Sequence, residues 1–256
     1  MTPEEILKIT LPRERWLVQD FLPNDYMVII AGEAGAGKSV LMYNLAYAVA
    51  GGRAFLGHPT LTARVLYFDE ENALPDLKTY NEWAYYGHGA PKLEGLNDRL
   101  RIEHFGLGRA WPLNMRKAIE AHHPDLIIID TASSSFSLKD ENDNAEASRV
   151  IHTLRTLKPA GASMVVLKHE REPSEFRGRS IRGAKVWLGA FDLVLYHRIA
   201  PRAKRRKDGL RKTILEPGKV RGNLITVQCV ILDPAFTSTE PKGLILQAEP
   251  FVREDE

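Results

Sequence analysis

The stretch YMVIIAGEAGAGKSVLMYNLAYAVA, Tyr26–Ala50, joins an apolar run, a glycine-rich segment and a helical pattern in that order. Its centre, Gly32–Ser39, matches the pattern G-x-x-x-x-G-K-S/T, which forms a phosphate-binding loop between a strand and a helix. Glycines let backbone N–H groups turn towards a phosphate, and the helix that follows adds the positive end of its dipole. The stretch therefore predicts a nucleotide site. The alternative is a glycine-rich turn followed by a surface lysine.

Residue types within this loop predict individual roles. A lysine at the position of Lys38 reaches the β- and γ-phosphates, and a hydroxyl at the position of Ser39 binds Mg²⁺. ATP and Mg²⁺ are therefore the predicted cofactors. The predicted nucleotide-binding residues are Gly32, Glu33, Ala34, Gly35, Ala36, Gly37, Lys38, Ser39 and Val40.

Outside this stretch, apolar runs rich in β-branched residues alternate with helical patterns. The predicted strands are Tyr26–Ala31, Val65–Phe68, Leu126–Ile129, Ser163–Leu167, Leu193–Tyr196 and Leu224–Leu232, and the predicted helices are Ser39–Ala50, Asp76–Tyr86, Leu113–His122 and Asn144–Leu157. Such alternation predicts an α/β fold whose mostly parallel sheet carries helices on both faces. After about Phe191, strand and turn signals predominate, which predicts antiparallel hairpins at the end of the sheet.

Composition is that of an ordinary globular protein. The chain has 256 residues, of which 44% are hydrophobic and 27% charged. We expect one domain over residues 16–250, with an N-terminal arm at 1–15 and a tail at 251–256. The lone Cys229 permits no internal disulfide, and neither a signal peptide nor a membrane-spanning run is recognisable, which predicts a cytoplasmic protein without membrane contact.

Acidic residues end two of the predicted strands. The run PDLIIID ends in Asp130, which is predicted to hold Mg²⁺ together with Ser39, the alternative being a cap for the next turn. In a parallel sheet the end of the run ARVLYFDEEN lies on the same edge as the phosphate loop. Acids beside a triphosphate raise repulsion, so we predict a catalytic base at Glu71, with Glu70 as the second choice. Alternatively, these acids face solvent at a helix N-terminus.

The order of these motifs resembles that of the RecA-like ATPases, and within them the RepA-type hexameric helicases and related plasmid or phage ATPases. The resemblance extends from about Trp16 to Leu232 and includes VLYFDEEN, PDLIIIDTASSSF, DENDNAEASRVIHTL, VVLKHE and IRGAKVWLGAFDLVL. It implies a RecA-like core and a homo-oligomer, expected as a hexameric ring with a filament as the alternative. It also implies a catalytic glutamate after the second core strand, which matches Glu71.

The resemblance further implies two catalytic elements. A polar residue that senses the γ-phosphate matches His169, although RepA relatives often have two histidines where this chain has Lys168 and His169; a surface histidine is the alternative. The segment EPGKVRGN resembles a Lys-x-Arg element that reaches the neighbouring subunit's ATP site, which assigns Lys219 and Arg221 as trans-acting fingers or, alternatively, as exposed turn residues. With Lys38 and Glu71, these complete the predicted catalytic set.

Positive charge is concentrated in the second half of the chain. Residues 168–221 contain 16 Lys or Arg against 6 Asp or Glu. In RecA-like motors the loop after the sensor strand contacts single-stranded DNA, so Arg177, Arg179 and Arg182 are predicted DNA contacts, a solvated lid being the alternative. A second basic tract has the pattern of a hairpin tip that grips a phosphate backbone or an acidic neighbouring subunit. Its predicted DNA contacts are Arg202, Lys204, Arg205, Arg206 and Lys207.

These features predict a Mg-ATP-dependent DNA motor, either a RepA-like replicative helicase or a ring-shaped ATPase stimulated by single-stranded DNA. One alternative is a RecA-like ATPase of a phage or plasmid that recombines or anneals strands. Another is a nucleotide-dependent regulatory switch that does not translocate.

Overall fold

The computed structural model of the protein describes residues 1–8, 16–136, 143–171, 180–181, 186–221, 228–237 and 241–250. The helices within these ranges are α1 (Pro3–Leu7), α2 (Lys38–Gly51), α3 (Leu74–Gly87), α4 (Leu93–Asn97), α5 (Trp111–His122), α6 (Ala132–Ser135), α7 (Asn144–Leu157) and α8 (Val186–Ala190). The strands are β1 (Trp16–Val18), β2 (Leu22–Pro23), β3 (Met27–Gly32), β4 (Val65–Asp69), β5 (Leu100–His104), β6 (Leu126–Asp130), β7 (Ser163–Arg171), β8 (Ser180–Ile181), β9 (Leu193–Ile199), β10 (Thr213–Val220), β11 (Val230–Phe236) and β12 (Leu244–Pro250).

A 10-stranded sheet organises the fold, with the order β12-β11-β10-β9-β3-β7-β6-β4-β5 and the short β8 beside β7. The six strands from β9 to β5 in this order are parallel, whereas β10, β11 and β12 follow one another in antiparallel pairs. The predicted fold class is therefore confirmed. Because parallel strands point the same way, their C-terminal ends share one edge, and β3 lies in the middle of that edge.

Both faces of the parallel strands are buried, which explains why their sequences are almost continuously apolar. Val28 and Ile30 of β3 belong to one core with α2, whereas Met27 and Ile29 belong to a second core on the opposite face, formed with α5, α7 and α8. Trp187 of α8 is completely buried in this second core. The central strand is thus fixed from both sides, and the loop that follows it starts from a rigid base.

Several elements have sequence signals too weak to predict. Strand β5 (LRIEH) lies at one edge of the sheet and β12 (LILQAEP) at the other, and each mixes apolar with charged residues. The predicted strand Leu224–Leu232 lies partly outside the described residues, and the described strand β11 runs further, to Phe236. Helix α1 has no buried residue. Among the described helices, none is long and apolar enough to cross a membrane.

Candidate active site

The glycine-rich loop connects β3 to α2 at the C-terminal edge of the sheet. Gly37 has a φ of 88°, a backbone conformation that side chains rarely adopt, and helix α2 begins at the next residue. The Lys38 Nζ donates hydrogen bonds to the carbonyl oxygens of Gly32 at 3.1 Å and Glu33 at 3.0 Å. Burial lowers the pKa of Lys38, and this effect is opposed by the nearby carboxylates, first Glu71 and then Asp130. The loop is therefore already folded around its lysine.

Strand β9 packs directly against the start of this loop. A Cβ atom at Gly32 would lie 2.1 Å from the carbonyl oxygen of His197, so only glycine fits there. We expect Gly32→Ala to lower the free energy of unfolding by about 1–3 kcal/mol, because two backbone segments must separate. Nucleotide affinity should fall as well, because a displacement of the end of β3 also displaces the phosphate loop that follows it. Thermal unfolding and titration with a fluorescent ADP would measure both effects.

Gly189→Ala is the matched control, because a Cβ there meets nothing within 4 Å. Equal stability of the two variants would contradict the close packing of β3 against β9.

Two buried carboxylates lie side by side at the ends of β4 and β6, where Asp69 and Asp130 are neighbours in register. The Tyr43 hydroxyl donates to Asp69 Oδ2 at 2.8 Å, and the Tyr67 hydroxyl donates to Asp130 Oδ2 at 2.9 Å. Burial raises the pKa of both tyrosines, so their hydroxyls stay protonated as donors. Each acid is thus held in place from within the core.

Asp130 has the character expected of a cation ligand. Its Oδ1 is buried and has no hydrogen-bond partner in the described part of the chain. Burial raises the pKa of Asp130 to about 7, in spite of the nearby Ser39 hydroxyl, and the Asp69 charge acts in the same direction as burial. The Asn72 Nδ2 lies 3.5 Å from both Ser39 Oγ and Asp130 Oδ2. A magnesium ion between Ser39 and Asp130 would neutralise this buried charge, so the residues fit the group.

The two adjacent glutamates after β4 have different surroundings. Glu70 is buried away from the loop, where its Oε1 accepts the Leu107 N–H at 3.0 Å, and burial raises its pKa. Glu71 lies near Lys38, with Oε1 3.3 Å from His169 Nε2. Hydrogen bonds from His169 and Thr131 lower the pKa of Glu71, which keeps it ionised. Of the two, Glu71 has the position and charge of a base beside the loop.

Successive residues near the end of β7 point to opposite faces. His169 is paired in register with Gly32 and its imidazole contacts Glu71. Lys168 is completely buried on the other face, with its Nζ 4.7 Å from the centre of the Trp187 ring. Lys168 therefore packs in the core, and His169 alone of this pair lies at the site.

Lys219 and Arg221 are not part of this subunit's own site. Strand β10 runs antiparallel to β9, so its end lies at the edge of the sheet opposite the phosphate loop. The Lys219 Nζ donates to the carbonyl oxygens of Leu188 at 2.7 Å and Phe191 at 2.9 Å. Arg221 contacts Asp192 at 3.3 Å. Any contact with a nucleotide by these two residues would have to be with that of another subunit.

The second basic tract forms the connection between β9 and β10, which lies beside the phosphate loop. Arg206 is neutralised by Asp233 at 2.9 Å. Arg202, Lys204 and Lys207 are exposed and form no ion pair within the described residues. The predicted DNA contacts Arg177, Arg179 and Arg182 lie outside the described residues.

A cleft of about 120 Å³ lies between this connection and the phosphate loop. Its lining includes Trp83, Leu246, His197 and Arg211. The buried His197 Nε2 lies 2.8 Å from Thr213 Oγ1, while its Nδ1 has no partner among the described residues. Burial, together with the Lys38 charge, lowers the pKa of His197 to about 3, so the ring is neutral. The cleft thus borders the phosphate loop with a mixed lining of apolar and polar side chains.

Asn72, His197 and Arg211 were missed by the sequence analysis. Asn72 follows directly after the acids of β4, and that position was the one available signal. His197 and Arg211 reach the loop only through the pairing of β9 with β3 and β10. No short motif marks either residue.

Comparisons with known proteins agree with this geometry. The crystal structure of a KaiC-like protein from the hyperthermophilic archaeon Pyrococcus horikoshii OT3 is similar in fold, with a TM-score of 0.60, 14% identity and coverage of 92% of this chain and 95% of that chain. A search of curated protein sequences gives no match. The sheet order and this similarity show a RecA-like fold. Residues 2–175 match the AAA domain family, and the chain belongs to that family. Together with the glycine-rich loop and the paired carboxylates, this family match supports a nucleotide-dependent ATPase.

Proposed function

We propose that this ATPase hydrolyses Mg-ATP at sites shared between identical subunits and uses the reaction to move or remodel single-stranded DNA, in the manner of a RepA-like helicase. The observation that carries the proposal is the position of the exposed cations Arg202, Lys204 and Lys207 on the same sheet edge as Lys38 and Glu71. A polyanion bound at that edge would lie close to the reacting phosphates. Repetition in a ring, expected to be hexameric, would multiply weak phosphate contacts.

Hydrolysis in this proposal uses side chains that already surround the loop. Lys38 exchanges the carbonyl oxygens of Gly32 and Glu33 for phosphate oxygens, because a triphosphate is the stronger acceptor. Glu71 accepts a proton from the attacking water, and His169, 3.3 Å away, orients that carboxylate or the γ-phosphate. Ser39 and Asp130 would hold Mg²⁺, which would neutralise part of the negative charge of the triphosphate when bound.

DNA coupling is tested by the rate of ATP hydrolysis with and without single-stranded DNA. We expect the rate to rise several-fold with DNA, because bound DNA orders the site edge. Lys204→Ala/Lys207→Ala should reduce this stimulation, weaken DNA binding and make that binding less dependent on salt, because fewer phosphates are neutralised, while the rate without DNA stays unchanged. Phosphate release and oligonucleotide anisotropy measure the two quantities.

Arg116→Ala/Lys117→Ala on α5 is the matched control, because it removes the same charge from an exposed helix surface. Lys38→Ala should abolish hydrolysis. Any ATPase activity that remains in a preparation of this variant therefore comes from a contaminating enzyme. Hydrolysis that is indifferent to DNA would favour a regulatory switch. With stimulation present, unwinding of a duplex with an overhang would distinguish a helicase from an annealing or strand-exchange ATPase.

A further inference from the structure

Arg211 connects the basic β9–β10 connection to the phosphate loop. Its Nη2 donates a 3.0 Å hydrogen bond to the carbonyl oxygen of Gly35, across 176 residues of sequence. No acidic partner of Arg211 occurs among the described residues, in contrast to Arg206 and Lys212, which both pair with Asp233. The interaction of the guanidinium with the loop is thus a hydrogen bond to a backbone carbonyl oxygen.

This contact fixes the orientation of one peptide group. Because the peptide bond is planar and trans, a Gly35 carbonyl directed outward to Arg211 leaves the Ala36 N–H directed to the opposite side. That N–H points into the loop, where it donates to the carbonyl oxygen of Glu33 at 3.3 Å. Inward N–H groups are the donors that a phosphate loop offers to its ligand. Arg211 therefore acts on a group that would bind phosphate.

The connection that carries Arg211 is itself anchored. Arg206 pairs with Asp233 of β11, and its backbone N–H donates to the Leu210 carbonyl oxygen at 2.8 Å. Arg205 Nε donates to the Gly209 carbonyl oxygen at 3.0 Å. The residues that make these contacts lie a few positions before Arg211 in the chain. They hold the turn in place, and Arg211 extends from that fixed turn.

We propose that Arg211 is a positioning residue of the phosphate loop, which sets nucleotide affinity by holding the Gly35–Ala36 peptide in the orientation that binds phosphate. The inference rests on the proposed function only in taking a nucleoside di- or triphosphate as the ligand. Without this contact the loop populates other orientations of the peptide, and affinity falls in proportion to the fraction of loops that remain competent. The chemical step, carried out by Glu71 and its neighbours, is unaffected.

The test compares Arg211→Ala, Arg211→Gln and wild type for affinity and turnover. We expect Arg211→Ala to weaken ADP binding in the absence of DNA by about ten-fold, the lower end of the range for one hydrogen bond that involves a charged group. The KM for ATP should rise similarly, while kcat at saturating ATP stays within about two-fold. Arg211→Gln, whose shorter side chain keeps an uncharged N–H donor, should recover part of the affinity.

Arg101→Ala on β5 is the control for loss of an exposed arginine, and its ADP affinity should equal that of wild type. Unchanged affinity in Arg211→Ala, or a fall in kcat at constant KM, would overturn the proposal. If Arg211→Gln is as weak as Arg211→Ala and the defect disappears at high salt, Arg211 acts as a charge and not as a positioning residue. Because ADP binding is measured without DNA, a failure of DNA stimulation leaves this result intact.

Discussion

Replacement of Glu71 by Gln should lower kcat for ATP hydrolysis by about 10²- to 10³-fold while ATP binding is retained, because the amide cannot accept a proton from water. Glutamine has nearly the size of glutamate and can keep hydrogen bonds to Thr131 and His169, so the loop around Lys38 should stay folded. Phosphate release at saturating ATP measures turnover, and titration with a non-hydrolysable analogue measures binding.

Glu70→Gln is the matched control, because the two residues are adjacent and the change is the same. Glu70 accepts the Leu107 N–H on the side of β4 away from Lys38, so its amide variant should keep kcat within a few-fold of wild type. A large loss in Glu70→Gln with little change in Glu71→Gln would mean that Glu70 is the base.

The lowered pKa of Glu71 also predicts how turnover depends on pH. Contacts with His169, Thr131 and Lys38 stabilise the carboxylate, so it is ionised above its ordinary pKa of 4.5 and loses its charge only below that value. Any fall in kcat between pH 7 and pH 5 should therefore come from the titration of another group. The same fall should then appear in the residual turnover of Glu71→Gln, which lacks this carboxylate.

Arg221→Ala is expected to lower kcat by about 10³-fold and leave nucleotide binding unchanged, if its guanidinium reaches the transition-state charge of the next subunit. Arg221 is the better candidate of the pair, because its side chain is 49% exposed and, within the described part of the chain, contacts Asp192 and the carbonyl oxygen of Gly189. Lys219 instead donates to three carbonyl oxygens at the end of α8, which it would have to leave.

Mixing variants tests the shared site. Arg221→Ala and Lys38→Ala should each be nearly inactive alone, whereas their mixture should recover activity, because some interfaces then combine an intact loop with an intact arginine. Arg116→Ala mixed with Lys38→Ala controls for simple dilution. Absence of recovery in a mixture that forms joint oligomers would exclude an action of Arg221 across subunits.

The sequence predicts the centre of the sheet well because local patterns suffice there. The loop motif and the acid at the end of β6 lie within a few residues of the strands that position them. The distinction between Glu70 and Glu71 needed the segment around Leu107, and the contact of Arg211 with Gly35 needed the order of β9 and β10 in the sheet. These pairings depend on tertiary packing, which spacing along the chain does not encode. The partner of Glu170 likewise depends on tertiary packing: both of its carboxylate oxygens accept hydrogen bonds of 2.7 Å from the Arg198 guanidinium.

The hydroxyls of Tyr43 and Tyr67 lie behind Asp69 and Asp130, in a layer that no ligand would touch. Their ring centres are 4.6 Å apart, so the two side chains form one unit beneath the acids. A phenylalanine would fill the same space at either position but would remove one hydroxyl that donates to a buried carboxylate. Replacement of either tyrosine is therefore expected to disturb the chemistry of the site more than the packing of the core.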